Sequence, residues 1–523
     1  MKAGNSDDLK GALNRLTGIM QQFDRNAANE KHQLLHHLSN GTFQPPDLIS
    51  YHHCLLFLTA YPQTATLNKM AQQELKRIAG LAQSVYLGKS DAKRNRLTNT
   101  GISGTAMHVS FSFDLVKWLN EKFPDQVSIF SCDADEETIK SVFLAGLHRF
   151  EADRFREDSF TLQQLIRKLK PKSAGSDLHW LLQFLDHIPV SHEIRSHLYD
   201  SLKLFITISL TGPVPSLTSA RSVPRKTFFH KTELIRRFDP DSELREKKAA
   251  PYKLAARDKE HIIEAARMTL CALLRETDPV THANVNEVEL FDMGRGIDIA
   301  LYPMIHEKKL SLESYIGYMA FKNRVPIAYG GGWIFLHRSK IGINIFPALR
   351  GGESSYLFAQ ILRIYHLHYR VKKFIVEPYQ IGKNNAEGLR SGAYWFYYRL
   401  GFRSVKKELQ KTADHEFMLL KQNRNYRPPL HIMKQLSGSN MELNLAPGEN
   451  YPDESPEPVS EQLTRYINEH HAGKRTESLK MDFMKLKEGK SERESILKLQ
   501  RDSRLLEELK QRLLVPGRSI RRM

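Results

Sequence analysis

A glycine-bearing loop carries the residues in this chain that are best suited to bind an anion. The loop, Arg350-Gly-Gly-Glu-Ser-Ser355, follows an apolar run and precedes apolar residues that recur at helical spacing. Free backbone N–H groups at a helix start, together with the helix dipole, favour a phosphate or another anion. An ordinary strand-to-helix turn is the alternative. The candidate binding residues are Arg350, Gly351, Gly352, Ser354 and Ser355.

A second motif follows the loop at Ala393-Tyr-Trp-Phe-Tyr-Tyr-Arg-Leu-Gly-Phe402. It resembles the signature that closes the fold of the GNAT acyltransferases, in which an alanine stands three residues before Phe-Tyr and Leu-Gly-Phe follows. In that family an Arg/Gln-x-x-Gly-x-Gly/Ala loop cradles the pyrophosphate of acetyl-coenzyme A, and Arg350 takes the corresponding place. Glu353 and Ser355 stand where the family has its two loop glycines. An acidic side chain beside a pyrophosphate is repulsive unless it turns away.

The resemblance, which covers residues 287–420, implies an N-acetyltransferase that moves an acyl group from acetyl-CoA to an amine. Tyr397 matches the tyrosine that the family uses as a general acid. A backbone N–H within Ile343–Phe346 is the expected donor to the thioester oxygen. Glu377, at the end of a predicted strand, is the candidate base because crevice ligands bind at strand ends in α/β sheets. Asp292 and Asp298 are rival candidates.

Two other functions fit the same residues. The chain has 77 Lys and Arg against 59 Asp and Glu, which gives a net charge of +18 and favours an anionic partner. A binding protein could keep the GNAT scaffold without turnover and present a basic surface to nucleic acid. Its best basic and aromatic patch lies within Arg225–Lys259. A relative of the Fem-type transferases, which resemble this fold, would take aminoacyl groups from tRNA without the coenzyme A loop.

The elements that must position these residues form a predicted mixed sheet. Val325–Leu336 and Ile341–Phe346 are rich in β-branched and aromatic residues and predict a hairpin. Lys372–Glu377 predicts the next strand, parallel to Ile341–Phe346 and splayed from it, because a helical crossover separates the two. Glu416–Leu420 predicts the closing strand.

The predicted fold class is α/β, with a GNAT-like mixed sheet flanked by helices, a separate all-α N-terminal domain and a helical C-terminal arm. Apolar periodicity and Pro- or Gly-rich stretches set the boundaries. The C-terminal arm is expected to dock on the rest of the chain or to mediate oligomerisation. The predicted segments are an α-helical domain (1–210), a basic linker (211–254), the GNAT-like domain (255–430), a flexible linker (431–459) and a charged helical tail (460–523).

Other classes of protein are disfavoured. The N-terminus lacks the charged and apolar regions of a secretory signal, and the longest apolar runs are too short to span a membrane. Cys54, Cys132 and Cys271 are far apart, which fits a reducing cytoplasm. Histidine pairs such as His366 and His368 have no carboxylate or cysteine at metal-ligand spacing, so no metal site is predicted.

Overall fold

The chain folds into two compact units. The computed structural model describes residues 3–156, 159–212, 214–310, 312–451, 453–470, 472–475 and 489–501. The first unit comprises Met1–Ser222, Phe229–Thr232 and Glu264–Thr277, and the second comprises Val223–Phe228, Glu233–Ile263 and Asp278–Met523. Segments of the predicted basic linker, 211–254, therefore belong to both units.

The first unit combines helices with a small antiparallel sheet. The sheet order is β1-β3-β2. The prediction of an all-α domain over 1–210 is therefore wrong. The elements of this unit are α1 (Ala3–Ile19), α2 (Arg25–Leu38), α3 (Pro45–Ala60), α4 (Ala65–Tyr86), α5 (Asp91–Leu97), β1 (Ala106–Val109), α6 (Phe113–Lys122), β2 (Val127–Cys132), α7 (Glu136–Gly146), α8 (Arg149–Ala152), α9 (Leu162–Leu169), α10 (Asp177–Asp186), α11 (His192–Ser201) and β3 (Leu204–Ser209).

The central strand of that sheet, β3, lies at the end of the segment predicted as an α-helical domain, 1–210. Lys203 adopts a left-handed backbone with φ 47°, which ends the helical path between α11 and β3. Since Lys203 is not a glycine, the sequence carries no visible break there. Leu204, Ile206 and Ile208 are buried and alternate with half-buried residues, which is the period of a strand.

The second unit is built on a mixed sheet flanked by helices. The order is β11-β12-β10-β8-β7-β6-β5-β4, with the short β9 also paired to β7. The predicted α/β class is confirmed at this level. The elements are α12 (Pro240–Arg245), α13 (Ala256–Ala272, which continues into the first unit), α14 (Asp278–Thr281), β4 (Glu289–Asp292), β5 (Ile297–Tyr302), β6 (Ser314–Lys322), β7 (Val325–Phe335), β8 (Arg338–Ile341), β9 (Asn344–Ile345), α15 (Ser354–Tyr369), β10 (Lys373–Val376), α16 (Ala386–Ser391), α17 (Ala393–Arg399), β11 (Arg403–Ser404), α18 (Lys407–Gln422), α19 (Leu430–Leu436), β12 (Met441–Asn444), α20 (Pro456–His470) and α21 (Glu492–Arg501).

The centre of this sheet depends on three consecutive glycines in β7. A Cβ atom on Gly330 would lie 2.5 Å from the Tyr318 hydroxyl oxygen, and one on Gly332 would lie 2.5 Å from the Tyr365 ring. Both tyrosines are fully buried. The glycines therefore make room for two tyrosine rings against the strand.

The C-terminal part of the sheet differs from the prediction. Glu416–Leu420, predicted as the closing strand, lies inside α18, where buried Ala413 and Glu416 share one helix face. The apolar run is as compatible with a helix as with a strand. Instead β12, which lies inside the predicted flexible linker 431–459, pairs antiparallel with β10 and β11. Four residues of mixed polarity are too short a signal for a strand.

The helices α20 and α21 pack within the second unit. Val459, Leu463, Ile467 and Leu499 form a cluster with Phe335 and Leu336 at the turn between β7 and β8. The Gln500 side-chain amide also donates to the Leu336 carbonyl at 2.6 Å. Residues 502–523, with the basic end of the predicted tail, lie outside the described residues, and oligomerisation stays a prediction. Among the helices that the structure describes, none is long and apolar enough to cross a membrane.

Candidate functional site

The parallel pair β8 and β10 opens part of the way along its length. Arg338–Lys340 faces Lys373–Ile375 in register, and the pairing ends there. After Lys340 the segment that contains β9 stays paired with β7, while β10 continues beside β12. The prediction that Ile341–Phe346 itself forms the parallel pair is therefore wrong by a few residues, because that segment remains bound to β7. The opening that follows the paired residues is called the cleft below.

Tyr397 lies beside the first strand of the cleft. It is buried on α17, with the Ile343 backbone amide close to its hydroxyl oxygen. Burial raises the pKa of Tyr397 well above its ordinary value, and the nearby Ile343 amide only partly opposes this shift. The hydroxyl thus keeps its proton throughout the physiological range. The Tyr318 hydroxyl donates to the Gly342 carbonyl at 2.6 Å and fixes the adjoining backbone.

Glu377 ends the second strand. Its side chain is 54% exposed, and its carboxylate lies 3.6 Å from the Lys340 ammonium. The segment that follows Glu377 is a short 3-10 helix whose Gln380 lies against Gly342, since a Cβ atom on Gly342 would lie 2.8 Å from the Gln380 Cδ atom. The structure therefore places Glu377 on one side of the cleft and Tyr397 beside the other.

The predicted anion loop precedes α15. Gly351 adopts φ 80°, a left-handed conformation that favours glycine, and Gly352 is buried. Arg350 is mostly exposed and pairs with Glu387 at 2.7 Å. The helix starts at Ser354, so the N–H groups of Ser354 and Ser355 lie in its first turn.

Glu353 points into the protein. Its carboxylate lies 2.7 Å from the Lys322 ammonium and 2.8 Å from the Arg295 guanidinium, and it accepts from the Ile235 N–H at 3.0 Å. The Glu353 and Lys322 side chains are 1% and 0% exposed. Burial raises the pKa of Glu353, but Lys322, Ile235 and Arg295 together outweigh burial and hold that pKa below its ordinary value. The carboxylate makes no capping hydrogen bond to its own helix.

The rival carboxylates lie elsewhere in the sheet. Asp292 and Asp298 face each other across β4 and β5, and β5 is three strands away from β8. Burial and the nearby Asp292 raise the pKa of Asp298 to about 6, although Arg225 and Tyr252 oppose the shift. Neither residue lies on a strand that borders the cleft.

Several residues that shape the site were not found by sequence reasoning. Lys322 was not singled out, although a lysine that ends a long apolar strand is a signal for a buried partner. Arg295, Tyr318 and Gln380 showed no pattern of their own. Within the described parts of the chain, no group of three histidine, cysteine or acidic side chains could hold a metal ion.

Comparison of the chain with protein-family models, with curated proteins and with solved structures found no match.

Proposed function

We propose that the second unit is a GNAT-type acyltransferase that moves an acyl group from an acyl-coenzyme A, most simply acetyl-CoA, to an amine. The observation that carries the proposal is the cleft between parallel strands, with the Tyr397 hydroxyl and the Ile343 N–H side by side at it. An acyl thioester reacts faster with a hydrogen-bond donor for its carbonyl oxygen and another for its leaving sulfur. These two groups supply one each.

The Ile343 amide is the best candidate for the carbonyl donor. The Phe346 amide, also within the predicted segment, already donates to the Ile327 carbonyl at 3.0 Å. The Ile343 amide instead lies close to the Tyr397 hydroxyl, which can yield its place to a ligand oxygen by a small movement. Because its pKa is raised well above the free thiol value of about 8.5, Tyr397 would keep its proton and stabilise the leaving thiolate by donating a hydrogen bond to it, and the thiolate would take its proton from solvent.

Glu377 is the candidate base for the amine proton. It lies at the end of β10 and is open to solvent, so an amine or a bridging water can reach it. Its separation of 3.6 Å from Lys340 is long for an ion pair, and such exposed pairs contribute about 0–1 kcal/mol. Breaking that pair would cost little.

The pyrophosphate of the donor would be held by Arg350, Gly351, Gly352, Ser354 and Ser355. The burial of Glu353 supports this assignment, because its carboxylate is neutralised by Lys322 and Arg295 and makes no capping bond at the helix start. The coenzyme supplies an activated acyl group. The loop would supply backbone N–H groups and one guanidinium.

Calorimetric titration of the full chain with acetyl-CoA tests the proposal. Gly351→Asp should weaken binding, because it adds a second acid and a side chain at the closest backbone approach. Tyr397→Phe should leave binding intact and lower kcat by about 10²–10⁴-fold with an amine acceptor. Glu136→Gln, on the exposed surface of the first unit, is the control. Absence of acetyl-CoA binding at millimolar concentration would overturn the proposal.

A further inference from the structure

An acidic segment lies across a cluster of basic side chains on the sheet of the second unit. The segment, residues 445–451 and 453–457, is called the acidic strap, and it runs from the end of β12 into the first turn of α20. The basic side chains belong to the parallel strands and are called the basic face, which consists of Arg338, Lys340, Lys372 and Lys373.

The basic face is a fixed feature of the sheet. Arg338 and Lys373 are neighbours in the parallel register, and Lys340 lies two residues after Arg338. Residues two apart on a strand point to the same side, so these three cations share one face. Lys372 immediately precedes β10. All four side chains are less than a third exposed beneath the strap.

The strap places one carboxylate on each part of this face. Glu449 lies 2.8 Å from the Lys372 ammonium, and Glu457 lies 2.6 Å from that of Lys340. Between them, Asp453 pairs closely with Lys373. The three acids are four residues apart along the chain, so they present a row of negative charges.

The two sides of these pairs differ in exposure. Glu449 and Glu457 are more than half exposed and Asp453 about a third, whereas the cations beneath them are largely covered. The acids thus lie outside the cations, where another anion could replace them. The strap is also anchored at both ends, by β12 in the sheet and by Val459 and Leu463 of α20 in the cluster at Phe335 and Leu336. Glu449 and Asp453 lie between the two anchors and can leave the face without unfolding either, whereas Glu457, in the first turn of α20, can only turn its exposed side chain away.

We propose that the acidic strap occupies a binding face for single-stranded nucleic acid and competes with the phosphate backbone of that partner for the four cations. The row of carboxylates that lies over these cations has the charge pattern of a linear polyanion such as a nucleic acid. A small anion does not present such a row. The cations also lie recessed below the strap. A single strand of nucleic acid could take the place of the strap and contact them, whereas a flat membrane surface fits this recessed position less well. The net charge of +18 favours the same class of partner.

The test measures binding of a fluorescein-labelled oligouridylate to the full chain by fluorescence anisotropy. The triple variant Glu449→Gln, Asp453→Asn, Glu457→Gln removes the strap charge. We expect it to bind at least about tenfold more tightly than the wild type, with a steeper dependence on salt. The control variant Glu121→Gln, Asp125→Asn, Glu136→Gln changes the net charge equally at exposed sites of the first unit.

A second pair of substitutions keeps the test specific to the basic face. Lys372→Gln with Lys373→Gln, added to the strap variant, should abolish the gain, with folding checked by near-UV circular dichroism. Three results would overturn the proposal: a gain no larger than that of the control variant, a gain that survives the lysine substitutions, or a gain for phosphatidylserine vesicles without one for RNA. Acetyl-CoA binding is measured separately, so failure here leaves the proposed enzyme activity standing.

Discussion

Replacing Glu353 by glutamine isolates the effect of the buried charge that positions the anion loop. The substitution keeps the shape of the side chain and removes the negative charge between Lys322 and Arg295. Arg295 is partly exposed and can turn to water, but the Lys322 side chain is fully buried. Burial already lowers the pKa of Lys322 to about 8, even though Glu353 opposes the shift. Without Glu353 that pKa should fall further.

Breaking one side of a buried ion pair costs about 3–5 kcal/mol, a large part of the 5–15 kcal/mol that stabilises a typical domain. The cost should depend on pH. In the Glu353→Gln variant, the folded-state pKa of Lys322 lies further below its unfolded value of 10.5, so the unfolded state binds more protons. Below pH 8 the free energy of unfolding of the variant should therefore increase with increasing pH, by up to about 1.4 kcal/mol per pH unit. That of the wild type should change little over the same range.

Urea unfolding at pH 6 and pH 8, with hydrogen exchange followed in peptides from β6 and α15, measures this difference in the second unit. The control is Glu387→Gln, which breaks an exposed pair with Arg350 and should cost under about 1 kcal/mol. Lys322→Met combined with Glu353→Gln should recover most of the loss, since no buried charge remains. A cost for Glu353→Gln no larger than the control, or equal at both pH values, would refute this account of the pair.

Two further predictions concern the sheet. Gly332→Ala should destabilise the second unit by about 1–3 kcal/mol, measured by urea unfolding, because the new Cβ atom would lie 2.5 Å from the Tyr365 ring and 2.7 Å from the Ser339 hydroxyl; a neutral result would mean that the ring moves freely. Asp298→Asn should remove a pH-dependent loss of stability. Because the folded-state pKa of about 6 exceeds the ordinary value of 3.8, the wild-type contribution of this carboxyl is full below pH 3.8 and is lost as pH rises through 6, by up to about 3 kcal/mol. The variant should show a flatter stability profile between pH 4 and 7, and an unchanged slope would contradict the assignment.

The parts of the fold that the sequence predicted are those with long apolar patterns. Val325–Leu336 and Lys372–Glu377 are dense in apolar residues, and both contain strands close to the predicted limits. The strands β3 and β12 were missed because the break before the first depends on a left-handed lysine and the second is four residues long. Backbone strain and short pairing are set by tertiary contacts, which leave little local pattern.

The candidate site was predicted in its residue types but not in its charge balance. The sequence placed Glu353 in the anion loop and could not say where the carboxylate points. Its partner Lys322 lies 31 residues earlier, at the end of β6, so the ion pair depends on how β6 and α15 come together in the folded unit. Long-range pairs of this kind have no spacing rule that one sequence could reveal.

The place of β12 in the sheet affects how the protein is made. β10 has one neighbour, β8, that precedes it along the chain, but its other neighbour begins about 65 residues after β10 ends. Ribosomes add about 5–20 residues per second, so one edge of β10 stays uncovered for roughly 3–13 s during synthesis. Exposed strand edges invite pairing with other chains. A nascent chain halted between α17 and β12 should therefore recruit chaperones more strongly than one halted after Asn444.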